Sequence, residues 1–207
     1  MNSTELRKTG IGVVGDVPWG THFFLFHETK EDLLDTLVPY FKAGLEGKEL
    51  CIWAISEPVT EIEVRHALRK EIPDFDAYAH DQSMQIVHGR EWYMTEDDLD
   101  LEKVTRGWNQ KIEFALTRGY AGLRLSADTA WLEKKDWKQF SDYEDEVNHS
   151  IDGQPMIALC SYHLSGALPP RFWTSRAPIN LRSPGATRDG RSSRPPSSSK
   201  RSARYKG

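Results

Sequence analysis

This sequence predicts a three-layer α/β domain, a mostly parallel sheet with helices on both faces, and three observations carry the prediction. Short apolar runs alternate along the chain with longer segments whose apolar residues recur at helical spacing. The short runs are apolar throughout rather than at every second residue, the pattern of strands buried on both faces of a parallel sheet. With 207 residues and 38 % hydrophobic content, the chain has enough material for one ordinary core. No segment approaches the roughly 18 consecutive apolar residues of a membrane span, and the amino terminus is polar without an apolar signal core. A cytoplasmic location is therefore expected, with no membrane partner.

Residues 1 to 19 carry Gly10, Gly12, Gly15 and Pro18 and read as an irregular lead-in. The run His22 to Phe26 is rich in β-formers and short enough for a buried strand. A helix follows, with Thr29 as N-cap, Asp32 in the first turn, and Leu33, Leu37, Val38, Phe41 and Leu45 on one face. Gly47 ends it. Residues 50 to 55 make a second strand, closed by Ser56-Glu57-Pro58. A helix over about 60 to 70 stops before Pro73, because the residue preceding a proline disfavours helical geometry. Residues 84 to 87 are a weak third strand. Residues 100 to 118 form a strong helix, with Leu101, Val104, Trp108, Ile112 and Ala115 on one face and Gly119 beyond its end. Residues 123 to 126 are a fourth strand, 137 to 148 a helix, and 156 to 162 a last, almost wholly apolar strand.

From residue 169 the composition changes abruptly. Six of the eleven prolines lie there, with ten Lys or Arg against the single acid Asp189. That segment is +9 and residues 1 to 168 are −13, which together give the net charge of −4. So polar a segment cannot offset its ordering entropy, and residues 169 to 207 are expected to be a disordered basic tail. A basic tail can contact nucleic acid, but a merely solvated one is as common, and nucleic acid is not the expected partner. Cys51 and Cys160 each sit inside apolar runs, where a small buried thiol is the ordinary outcome.

The run from Gly122 to Trp137 is the most informative. It delivers Asp128 and then Trp131 to the carboxyl end of a strand, where open α/β sheets bind their ligands. No G-x-x-x-x-G-K-[ST] phosphate loop occurs anywhere in the chain, so the pocket reads as built for binding rather than phosphoryl transfer. The candidate ligand-binding residues are His22, Glu28, Trp53, Glu57, Arg124, Asp128 and Trp131. Each has a plainer reading. Glu57 could cap the following helix, and Asp128 could start a turn. Arg124, a permanent charge between Leu123 and Leu125, must meet a carboxylate or an anionic ligand, and a structural ion pair is the safer of the two. The indoles could simply pack, although small apolar ligands are held by such rings. His22 and His27 lie five residues apart, hence on opposite faces of a strand and roughly 16 Å from each other. They cannot share an ion, and neither a metal nor a cofactor is expected.

Several ordered motifs together carry a resemblance: Gly20-Thr21-His22-Phe23, Glu28-Thr29-Lys30-Glu31-Asp32-Leu33-Leu34, Ser56-Glu57-Pro58, Glu91-Trp92-Tyr93, Gly119-Tyr120-Ala121-Gly122-Leu123-Arg124, Trp131-Leu132-Glu133-Lys134-Lys135-Asp136-Trp137 and Met156-Ile157-Ala158-Leu159-Cys160-Ser161-Tyr162. Over residues 20 to 168 the chain resembles the methanogen/methylotroph sensory (MEDS) domain family. The resemblance implies a signal-input domain that works with histidine kinases or transcriptional regulators and senses hydrocarbon derivatives. It also implies a degenerate RecA-like fold without a phosphate loop. In that comparison His27-Glu28-Thr29-Lys30 stands where the loop would be, Glu57 ends the strand that bears a catalytic glutamate, and Asp128 follows the Walker B strand. Such likeness of fold does not by itself carry function. Family members continue beyond the last strand into a further helix and strand. Here the sequence runs through Leu168-Pro169-Pro170 into the basic tail, as a truncation or shifted reading frame would produce, and the sheet is expected to lack those edge elements.

The reading these observations favour is a non-enzymatic sensory domain that binds a small organic ligand and relays to a kinase or regulator. A residual nucleotide hydrolase, with Glu57 as base and Asp128 holding Mg²⁺, would lack the amide cradle that stabilises a transferring phosphoryl group. A protein-interaction module would use the acidic helical face around Asp142, Glu144, Asp145 and Glu146, although charge on a helix is usually only solvation.

Overall fold

In the computed structural model, which describes residues 5–96 and 98–164, two short strands come first. These are β1 (Leu6–Lys8) and β2 (Asp16–Pro18), paired antiparallel. The chain continues through β3 (Thr21–His27), α1 (Lys30–Glu46), β4 (Leu50–Ile55), α2 (Glu61–Glu71), α3 (Phe75–His80) and β5 (Met84–His88). Next come α4 (Gly89–Tyr93), the two-residue strands β6 (Met94–Thr95) and β7 (Asp98–Leu99), α5 (Leu101–Thr117), β8 (Leu123–Asp128), α6 (Trp137–Ser150) and β9 (Met156–His163).

The cap read at Thr29 and the stop read at Pro73 act as predicted, whereas α2 is capped by Thr60 and not by Glu57. Thr29 caps α1 through a reciprocal box in which its hydroxyl accepts from Asp32 N–H and the Asp32 carboxylate accepts from Thr29 N–H. Thr60 and Glu63 repeat the device on α2, and Asp100 caps α5. Helix α2 ends one residue before the Ile72-Pro73 pair. The lead-in is more ordered than expected, because the β1–β2 hairpin packs on α1. Gly10 (φ 76°) makes that contact possible, since a Cβ there would lie 2.1 Å from the Pro39 carbonyl oxygen. Helices α3 and α4 and the β6–β7 pair are too short to leave a periodic signal.

Five strands form one parallel sheet in the order β3-β9-β8-β4-β5. One face packs on α1 and α2 through Leu33, Leu37, Phe41, Val64 and Leu68. The other packs on α5 and α6 through Val104, Trp108, Ile112, Phe140 and Tyr143. The chain passes from β4 to the first face and from β8 to the second, so the order reverses between these adjacent strands. Their carboxyl ends open the crevice where such sheets hold ligands. Cys51 and Cys160 are buried on opposite faces.

The acidic face expected on α6 is interrupted. Asp142, Asp145 and Glu146 are exposed, but Glu144 is 1 % exposed. It shares the stripe of Phe140, Tyr143 and Val147 that faces the sheet. No helix among the described residues is long and apolar enough to cross a membrane. The tail expected from residue 169, and the further edge elements, lie outside the described residues.

Candidate ligand site at the carboxyl edge of the sheet

Alternation along β8 sends Leu125 and Ala127 into the α5–α6 core, and Arg124, Ser126 and Asp128 to the α1 side. Asp128 stands opposite Ser161 of β9 in the ladder. Its Oδ2 accepts from Ser161 Oγ (3.0 Å) and its Oδ1 from Ala130 N–H (2.8 Å), the second bond closing an Asx-turn. The turn reading of this residue therefore holds, and its side chain stands at the strand end. From β3, His27 brings its Nε2 to 3.7 Å from Asp128 Oδ2, and both side chains are 5 % exposed. His27 Nδ1–H donates to the Thr29 carbonyl (3.1 Å). In the neutral ring that leaves Nε2 as an acceptor facing a carboxylate. Among the described residues this nitrogen has no hydrogen-bond partner.

Trp131 covers the same edge from the other side of the sheet. Its Nε1–H donates to the Asp128 carbonyl (2.8 Å), and its ring stacks on Tyr93 at 5.2 Å. Gly89 lets it lie there, because a Cβ at that position would be 3.0 Å from the indole and 3.2 Å from Ser56 Oγ. Ser56 in turn donates to the Asp128 carbonyl (3.3 Å). This bond ties the β4 and β8 ends together.

The rim is acidic. Glu28 and Glu57 are exposed at the ends of β3 and β4, Glu57 preceding Pro58 through a cis peptide bond. Lys30, the cation beside them, is bonded to Glu63. That bond raises the Lys30 pKa, with Glu31 and Glu57 adding to the effect. It also lowers Glu63 to about 2, helped by the Thr60 backbone and hydroxyl. The first amides of α1, where a phosphate would dock, face a cap built from Thr29 and the carboxylate of Asp32. The Gly10–Gly15 stretch lies between antiparallel β1 and β2 and so opens no helix.

Three of the sequence-predicted residues lie elsewhere. Trp53 is fully buried in mid-strand and stacks on Phe41 at 5.0 Å. An indole in a central strand of a sheet covered on both sides packs rather than lines a mouth. Arg124 sits at the amino end of β8, where its guanidinium holds both oxygens of Glu49 and donates to the carbonyls of Lys8 (2.8 Å) and Tyr40 (3.0 Å). Burial pulls its pKa down, but the Glu49 bond and neighbouring groups leave it raised. It is the structural ion pair, not a ligand contact. His22 lies at the amino end of β3 against α6. Glu28, Glu57, Asp128 and Trp131 are brought to one edge. His27 and Ser161 were not singled out as site residues, yet both end strands next to Asp128. Their signal was positional: each closes an apolar run at the same end of the sheet.

A surface hollow of about 410 Å³ lies apart from this edge, between the Thr9–Asp16 loop and α1. It holds none of the sequence-predicted residues. The family model described as "MEthanogen/methylotroph, DcmR Sensory domain" matches residues 21–171. The chain belongs to the MEDS family. Among curated proteins none matches. Of solved structures, a KaiC-like protein from the hyperthermophilic archaeon Pyrococcus horikoshii is similar at a TM-score of 0.56 and 16 % identity, over 79 % of this chain and 73 % of that one. At that identity the likeness speaks for the fold alone, a RecA-like α/β sheet.

Proposed function

We propose that this MEDS domain is a non-enzymatic signal-input module that binds a small, neutral organic molecule at the carboxyl edge of its sheet. The bound state is relayed to a kinase or a transcriptional regulator, and the domain works in the cytoplasm. The observation that carries the reading is the pair of buried acceptors, His27 Nε2 and Asp128 Oδ2, 3.7 Å apart at the carboxyl edge of the sheet. A molecule bringing one O–H or N–H between them would relieve a costly arrangement, with its apolar part against Trp131 and Tyr93. A hydrocarbon derivative with one polar handle is of this kind. The self-capped α1 and the acidic rim speak against a nucleotide, whose phosphates would meet Asp32, Glu28 and Glu57 instead of free amides and a free lysine.

A ligand shifts a conformational balance only through its unequal affinity for two states, and binding the folded chain alone raises its melting temperature. We expect thermal-shift screening of short-chain alcohols, amines and halogenated hydrocarbons on the full chain to give stabilisation. That stabilisation should be lost in His27→Gln and kept in Glu57→Gln. If none of them stabilises the protein, or if ATP is turned over and Glu57→Gln abolishes it, the reading fails and the hydrolase takes its place.

A further inference from the structure

A second cluster lies on the opposite face of the sheet, and the carboxyl-edge reading makes no use of it. His22 from β3, Glu144 from α6 and Cys160 from β9 bring one ligand atom each to within 4.8 Å of one another. His22 Nε2 is 3.3 Å from Glu144 Oε2 and 3.3 Å from Cys160 Sγ. The His22 and Glu144 side chains are 2 % and 1 % exposed, and Cys160 is 6 % exposed.

Two hydrogen bonds orient the donors inward. His22 Nδ1–H donates to Asn148 Oδ1 (2.7 Å), leaving Nε2 as the unprotonated nitrogen that faces the cluster. The Tyr162 hydroxyl donates to Glu144 Oε1 (3.0 Å), which turns Oε2 toward the histidine and the sulfur. Among the described residues Oε2 accepts no hydrogen bond. A buried carboxylate oxygen, an imidazole lone pair and a sulfur converging in an apolar layer, with no donor to that oxygen among the described residues, form an unfavourable group unless a cation sits among them.

We propose that His22, Glu144 and Cys160 form a zinc site that ties α6 to β3 and β9. The set of one nitrogen, one oxygen and one sulfur suits Zn²⁺. Tetrahedral zinc with bonds of roughly 2.0–2.3 Å places its ligands roughly 3.3–3.6 Å apart, which the two 3.3 Å spacings from His22 Nε2 approach without rearrangement of the strands. Asn148 and Tyr162 are the outer partners that such ligands ordinarily have. Three protein donors leave the fourth position for water or a small ligand atom. On binding, the thiol gives up its proton to solvent and the thiolate takes its place on the metal.

The test uses the full chain, stripped with chelator and titrated with Co²⁺. One equivalent should produce a thiolate-to-cobalt charge-transfer band in the near ultraviolet, and Zn²⁺ should displace it at one ion per chain. Cys160→Ser should abolish the band and Cys51→Ser should retain it, which assigns the sulfur. Because Glu144 is a core residue, the exposed Asn148 provides a variant that leaves the core intact. Asn148→Ala should weaken zinc binding by about 10- to 100-fold, the usual cost of losing an outer partner. No band in the wild-type chain, or a band that survives Cys160→Ser, overturns the proposal and leaves His22 and Glu144 as an internal ion pair.

Discussion

Arg124 and Asp128 lie four residues apart on β8, face the same side of the sheet and are both buried, yet they are provided for in opposite ways. Around Arg124 every group is matched. Glu49 takes two of its N–H groups, three main-chain carbonyls take others, and Tyr40 lies against the guanidinium at 4.6 Å. Around Asp128 the matching is incomplete: His27 Nε2, and farther down the same face Trp53 Nε1 and Ser126 Oγ, are buried with no hydrogen-bond partner among the described residues. The amino half of the strand is scaffold. The carboxyl half keeps unspent hydrogen-bonding capacity, which is what a binding edge needs and a scaffold avoids.

The largest effect should come from breaking the scaffold end. Arg124→Met leaves the buried Glu49 with Arg7 Nε (2.9 Å) as its remaining charged partner, and chemical denaturation should show a loss of up to about 3–5 kcal/mol. Removing both charges in the Arg124→Met/Glu49→Leu pair should recover much of that loss, since the cost lies in the under-compensated buried carboxylate rather than in the missing bond, and Arg7 keeps Glu5 and the Gly47 carbonyl as partners. A milder effect is expected from Asp128→Asn. The amide oxygen can still accept from Ala130 N–H, but the NH2 that replaces Oδ2 cannot accept from Ser161 Oγ, so one hydrogen bond is lost, about 1 kcal/mol. If the two single variants are equally destabilising, the division of the strand into scaffold and binding halves is wrong.

The same division explains what the sequence disclosed. Strands buried on both faces announce themselves as apolar runs, and β4, β8 and β9 emerge close to their predicted bounds, β8 running two residues further to include Asp128. Thr29 and Asp32 announce the start of α1 because a cap is a local bond. Partnerships across the sheet leave no such trace. The sequence requires that Arg124 find an acid, but nothing in Gly47-Lys48-Glu49-Leu50 says that Glu49, 75 positions away, is the one. The strand order that brings His27 to Asp128 is likewise a property of crossovers, not of spacing. Glu144 was legible in principle. Its place between Phe140, Tyr143 and Val147 puts it on the apolar stripe, but its acidic neighbours drew it into the solvated face.

The smallest effect should come from the rim, where Lys30 and Glu63 are solvent-screened and an ion pair contributes little. Its signature is a pH dependence rather than a magnitude. Glu63 is held at about 2 against an ordinary 4.5, first by the Lys30 bond and then by Thr60. A carboxyl depressed in the folded state adds stability that is fully present above the unfolded value and disappears as pH falls through the folded one. Wild type should therefore exceed Glu63→Gln in stability at pH 6, and the gap should close between about pH 4.5 and about pH 2. A gap that persists at pH 2 would mean that the side chain stabilises α2 by packing, not by charge. The variant also frees Lys30 beside the α1 cap. If Glu63→Gln gains no affinity for ATP while His27→Gln still abolishes small-molecule stabilisation, the Asp32 cap alone is enough to keep phosphates out, and selectivity at this edge is set by the helix start rather than by the rim.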